Sequence, residues 1–144
     1  MSHMKKVLIV DDNQTNLRIL EEVLAGDYRL QFANNGVEAL RMASDFQPSI
    51  ILLDVMMPKM DGLTVCRRLR QLPGLRDSVI IMMSAKAMPS EQAAGIDAGA
   101  NAYLTKPFDE VELVTLLRAH VSTSSEKSLF DAVDLRDVKG LAAY

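Results

Sequence analysis

The sequence predicts an α/β fold: a doubly wound, five-stranded parallel sheet with five helices packed on its two faces. Short unbroken apolar runs recur along the chain, and segments with helical spacing of apolar residues separate them. The balance of 49% hydrophobic against 24% charged residues in a chain of 144 suits one domain with enough apolar material for a core. Strands covered on both faces lose the in-out alternation of exposed sheets, so unbroken runs point to parallel strands between helices. Right-handed crossovers narrow the strand order to a few choices, of which 2-1-3-4-5 is the common one for five units.

Taken in order, Met1 to Met4 reads as an expression scar and is set apart from the fold. Val7 to Val10 is the first strand, followed by a helix from Gln14 to Ala25 that aligns Leu17, Leu20 and Leu24 and has Gly26 as its stop. Arg29 to Ala33 alternates Leu30 and Phe32 with polar residues, which suits an edge strand. A helix from Val37 to Ser44 leads to the run Ile50 to Leu53. The third helix starts after Asp61 and Gly62, stripes Val65, Leu69 and Leu72, and ends at Pro73 and Gly74. Val79 to Met83 is the fourth strand, Ser90 to Ala98 a small, weakly apolar helix, and Ala102 to Thr105 the fifth strand. The last helix, Glu110 to Val121, aligns Val114, Leu117 and Val121. The composition then shifts to Ser122, Thr123, Ser124, Ser125, Glu126, Lys127 and Ser128, which reads as a flexible linker. Leu135, Val138, Leu141 and Ala142 beyond it recur at helical spacing, as in the stub of an output segment. The division is therefore 1–4 scar, 5–121 main domain, 122–144 linker and stub.

The predicted order sets the carboxyl ends of strands one and three side by side at the switch point where open sheets of this kind bind ligands. Acidic residues stand at both ends: Asp11 and Asp12 directly follow Val10, and Asp54 directly follows Leu53. Three converging carboxylates raise one another's pKa unless a cation neutralises them. Mg2+, which takes carboxylate, water and phosphate oxygens, fits this donor set, as does Mn2+; two histidines in the chain give no basis for a nitrogen-rich site. Lys106 follows strand five and precedes Pro107 at the same sheet edge. One lysine and one divalent cation cancel three carboxylates, so such a site accepts an anionic group without prohibitive repulsion. Ser84, at the end of strand four, offers a hydroxyl donor to an oxygen of that group.

Four segments in order, "VLIVDD", "IILLDVMMPKMDG", "VIIMMSA" and "AYLTKPF", closely resemble the response-regulator receiver family of two-component signalling. The resemblance covers residues 5 to 121, and Ser84 and Lys106 fall 30 and 52 positions after Asp54, as the family pattern asks. It implies that Asp54 is phosphorylated, that Asp12 ligates the metal directly and Asp11 partly through water, and that the Met56 carbonyl is a further ligand. Ser84 and Lys106 would bind the phosphoryl oxygens, and Ser84 and Tyr103 would form the switch. The Lys106–Pro107 bond is implied to be cis, and Met56 and Lys86 to flank the cleft and tune phosphoryl lifetime. The donor is implied to be a phosphohistidine on a sensor kinase or phosphotransfer protein. The face of helix four, strand five and helix five would contact partners or a second copy, with Asp97, Asp109, Glu110 and Arg118 available for salt bridges. The domain would not be an enzyme beyond its own phosphorylation and slow dephosphorylation.

The remaining features exclude more than they add. A formal charge of -3 gives no general attraction to nucleic acid or anionic lipid, and Arg67, Arg68, Arg70 and Arg76 read as a solvated helix face. No apolar run approaches the roughly 18 residues of a membrane span, and the lone Cys66, read as helix packing, forms no internal disulfide, so the expected setting is cytoplasmic. His120 reads as a charge-favourable residue near a helix C-terminus. Two other classes share parts of the pattern. A flavodoxin-like electron carrier needs a Ser/Thr/Gly-rich loop where Asp11 and Asp12 stand. An aspartate-nucleophile phosphatase usually carries a second aspartate where Met56 stands.

Overall fold

Residues 4–57, 59–85 and 88–125 are described in the computed structural model. Five strands alternate with five helices: β1 Lys5–Val10, α1 Gln14–Leu24, β2 Tyr28–Ala33, α2 Gly36–Phe46, β3 Ile50–Asp54, α3 Gly62–Gln71, β4 Val79–Ser84, α4 Pro89–Asp97, β5 Ala102–Thr105 and α5 Glu110–Ser125. The strands are parallel in the predicted order β2-β1-β3-β4-β5. Alternate residues of each strand feed two cores. Leu8, Val10, Ile51, Leu53, Ile80 and Met82 pack against α2 and α3. Val7, Ile9, Ile50, Leu52, Ile81 and Met83 pack against α1 and α5. β3 and β4 are buried at every position, which is why their sequences read as unbroken apolar runs.

Local signals set most helix ends. Asn13, Asn35 and Asp61 accept from the backbone N–H three residues on and so cap α1, α2 and α3. Leu72, before Pro73, is extended and terminates α3 as a pre-proline residue must. Cys66 is buried in the α2–α3 core as expected, and burial pushes its thiol pKa up.

Several expectations need adjustment. Gly26 does not stop α1 by a left-handed turn: the cap is Ala25 in right-handed geometry, and Gly74 and Gly99 are the described glycines with positive φ. α2 begins one residue before and ends two after the predicted span, closing on Gln47 in the left-handed region at φ 52°. Among the described side chains the buried stripe of α5 is Leu113 and Leu117, with Val114 beside it; the side chain of Val121 lies outside them. α5 also runs on to Ser125, so Ser122 to Ser125 are helical rather than linker, because adding residues to an existing helix costs far less than starting one. His120 consequently lies before the last turn, which carries no basic residue. The predicted remainder of the linker and the stub, 126–144, lies outside the described residues. No described helix is long and apolar enough to cross a membrane.

Candidate functional site

Register brings the predicted residues together. Val10 pairs with Leu53, so Asp11 and Asp54, each one step further, emerge side by side from β1 and β3. Ser84 pairs with Thr105, and Lys106 follows with its N–H donating to the Ser84 carbonyl at 2.7 Å. Carboxylate oxygens of Asp11, Asp12 and Asp54 all lie within 4.8 Å of one another. Asp11 is 0% and Asp54 4% exposed, whereas Asp12 faces solvent. The Lys106 ammonium sits 3.1 Å from Asp11 Oδ2 and 3.5 Å from Asp54 Oδ1.

Further donors hold the two buried carboxylates. Asp11 Oδ1 accepts from the Asn13 N–H at 2.9 Å, and Oδ2 from Asn16 Nδ2 at 3.2 Å. Asp54 Oδ1 accepts from the Met56 N–H at 3.2 Å. Burial first, and then repulsion from Asp11, raise the Asp54 pKa from 3.8 to about 6; Lys106 and the Met56 amide pull the other way and lose. Among the described residues, three carboxylates of the cleft face the one ammonium of Lys106.

Behind Asp54 the backbone is closely confined. The Gly62 N–H donates to the Val55 carbonyl at 2.9 Å, and a Cβ on Gly62 would lie 2.6 Å from the Asp54 carbonyl oxygen. Only a glycine lets α3 approach the end of β3 so closely. Lys59, at φ 73°, turns the loop back toward that contact. On the other side Val55, Met56, Leu63, Ser84, Ala94 and Tyr103 line a cavity of about 140 Å³. Ser84 is buried at the end of β4, and the Tyr103 ring lies against Gly95 of α4. A second, mostly apolar groove of about 290 Å³ opens beside Lys106, lined by Asn16, Ile19, Ala85, Pro107 and Phe108.

Asp11, Asp12, Asp54 and Lys106 thus converge, while Ser84, Met56 and Tyr103 share the adjoining cavity. The Met56 N–H donates to Asp54 Oδ1, which sets this residue beside the acceptor carboxylate. Lys106–Pro107 is cis, and Lys86 lies outside the described residues. Sequence reasoning missed Asn13, Asn16 and Gly62. Asn16 stands five residues after Asp11 and three after the cap of α1, and that spacing was the available signal.

The sequence pattern of the response regulator receiver domain family matches residues 7–118. The chain belongs to this family. The receiver is 39% identical over 136 residues to the response regulator PleD of Caulobacter vibrioides, a match covering 94% of this chain but 29% of PleD. It spans less than a third of that relative's length. Among solved structures, the chemotaxis protein CheY4 of Vibrio cholerae is 30% identical with a TM-score of 0.78, over 81% of this chain and 98% of that one. The receiver domain of the sensor histidine kinase PA1611 of Pseudomonas aeruginosa is 30% identical with a TM-score of 0.77, over 83% and 99%. That structure holds a magnesium ion coordinated in its active-site cleft. The receiver is a phosphoacceptor signalling domain of the two-component type, a class whose members partner with histidine kinases. Neither an electron carrier nor a phosphatase finds support among these relatives.

Proposed function

We propose that the receiver accepts a phosphoryl group on the Asp54 carboxylate from a phosphohistidine of a sensor kinase or phosphotransfer protein. The observation that carries this reading is the buried Asp54, set between a second buried carboxylate and a lysine ammonium 3.5 Å away. A carboxylate oxygen attacks phosphorus in line; the phosphorus–nitrogen bond to the histidine breaks as the phosphorus–oxygen bond forms. Lys106 turns from the carboxylates to the incoming phosphoryl oxygens, and the Ser84 hydroxyl donates to another. Three clustered carboxylates are the oxygen-donor set that a hard divalent cation suits. Asp11, Asp12, Asp54 and the Met56 carbonyl would hold Mg2+ or Mn2+, which when bound supplies positive charge to the phosphoryl oxygens. The receiver catalyses only this transfer and its own slow dephosphorylation.

Ser84 and Tyr103 are the switch in this reading, supported by the cavity they share. One hydrogen bond to a charged group contributes about 1.5 to 3 kcal/mol, whereas moving a population from 1:99 to 99:1 takes about 5.5 kcal/mol. Ser84 alone does not suffice, so Lys106, the cation and the repacked Tyr103 share the bias. The readout face is α4, β5 and α5, where Ile96 and Val111 are exposed, and its partner is a target protein or, on phosphorylation, a second copy. The segment after α5 leads to an output segment, and the setting is the cytoplasm. The test is label transfer from an acyl phosphate: it enters the wild-type chain with Mg2+ and fails with Asp54→Asn or excess chelator. Label entering the Asp54→Asn variant, or entering the wild-type chain under chelation, would overturn the assignment.

A further inference from the structure

We propose that Asn16 is a positioning residue for Asp11, holding that carboxylate toward the cation site both beside Lys106 and after Lys106 turns away. The inference rests on the reading above of Asp11 as part of a divalent-cation site. Asp11 is fully buried, so its charged oxygens depend on protein donors rather than water. Its Oδ1 has the Asn13 amide; its Oδ2 has Asn16 Nδ2 at 3.2 Å and Lys106 Nζ at 3.1 Å. A carboxylate only accepts, so the NH2 group of Asn16 must be the group that faces it.

Lys106 has competing engagements. It sits 3.5 Å from Asp54 as well as 3.1 Å from Asp11, and the proposed transfer turns it to phosphoryl oxygens. Once it turns, Asn16 is the donor remaining on Asp11 Oδ2 among the described contacts. Asn16 is well placed to stay. Its own N–H donates to the Asn13 side chain at 3.1 Å in the first turn of α1, so the helix cap fixes the side chain's origin. A neutral amide also orients the carboxylate without adding charge: a cation here would compete with the metal, and an acid would add to the repulsion. Helix α1 thereby contributes a hydrogen bond to a site otherwise built from strand ends.

The test uses the full chain, titrated with Mn2+ alone and followed by the paramagnetic resonance of free Mn2+, in wild type, Asn16→Ala and Asn16→Leu. Groups that orient metal ligands typically change affinity by 10–100-fold, and the half-buried Asn16 is expected at the low end, a rise of about tenfold in the Mn2+ dissociation constant for both variants. The Mg2+ concentration giving half-maximal labelling by an acyl phosphate should rise by the same factor, while the rate at saturating Mg2+ stays within about twofold of wild type. A urea midpoint unchanged in either variant shows that the fold is intact. Equal Mn2+ affinity in wild type and both variants overturns the role of Asn16 and leaves the cation site standing. Failure of the wild-type chain to bind Mn2+ overturns the cation site and this proposal together.

Discussion

At the carboxyl ends of the strands, Asp11 and Asp54 are buried beside each other with one ammonium between them; at the amino ends, the guanidinium of Arg70 is half-buried among neutral acceptors. Arg70 Nε and Nη2 donate to the Gly99 carbonyl at 2.9 and 2.7 Å, and Nη1 to the carbonyls of Ser78 at 2.6 Å and Arg76 at 3.1 Å. Its Nη2 also donates to Asn101 Oδ1 at 2.6 Å, an atom that accepts from the Ile80 N–H as well. Burial lowers the Arg70 pKa, yet the planar fork ties α3, the start of β4 and the turn before β5 into one unit. The difference separates two uses of buried charge. Arg70 is surrounded by acceptors and holds structure, whereas at the acidic end the described residues set one ammonium against three carboxylates, the arrangement on which the proposed phosphoryl transfer rests.

Breaking the Arg70 end should have the largest effect. Arg70→Met orphans several carbonyls at once and is expected to cost about 3 kcal/mol in urea unfolding. A loss below about 1 kcal/mol would mean that water replaces the guanidinium and that the two ends differ less than the contacts indicate.

Relieving the acidic end should do the opposite. Because the folded-state pKa of Asp54 is raised from 3.8 to about 6, the folded protein holds that proton more tightly than the unfolded chain. Its contribution to stability is therefore fully present below about pH 4, lost as pH rises through about 6, and constant above. Without metal, Asp54→Asn is expected to stabilise the fold by about 2 kcal/mol at pH 7, with the advantage over wild type growing between pH 4 and 6. Denaturation at several pH values checks both sign and window, and an equally stable variant would mean that Lys106 already balances the cleft.

The smallest change tests the wall behind the acceptor. Gly62→Ala brings a methyl into the Asp54 carbonyl and Val55, and is expected to cost about 1 to 2 kcal/mol. Amide exchange at Val55 and Gly62 should quicken in that variant; unchanged exchange would show that the close approach relaxes freely.

The same contrast explains what the sequence made legible. β3 and β4 announced themselves because every residue is buried, and Asp11, Asp12, Asp54 and Lys106 because each directly follows a strand that the pattern defines. Arg70 was misread as part of a solvated helix face. Its partners are main-chain carbonyls, which every residue carries and no pattern marks, whereas Arg67, Arg68 and Arg76 are indeed exposed. Asn16 was missed for a related reason: its contact to Asp11 depends on the pitch of the first turn of α1, not on composition. Ser122 to Ser125 looked like a linker because serine favours turns in isolation, while a helix already docked through Leu113 and Leu117 carries such residues along.

The tight seat of Asp54 bears on how a signal would leave the domain. With the Val55 N–H bonded to the Met83 carbonyl and Gly62 close against the Asp54 carbonyl, the backbone of the proposed acceptor is held on both sides. Any swelling of that side chain must be absorbed by its neighbours in proportion to how lightly they are fastened. Helix α4, whose sole buried residue is Gly95, is the less deeply buried of the two helices that border the cavity, so the proposed switch would displace it first. A closely held acceptor would thereby give the proposed signal a direction.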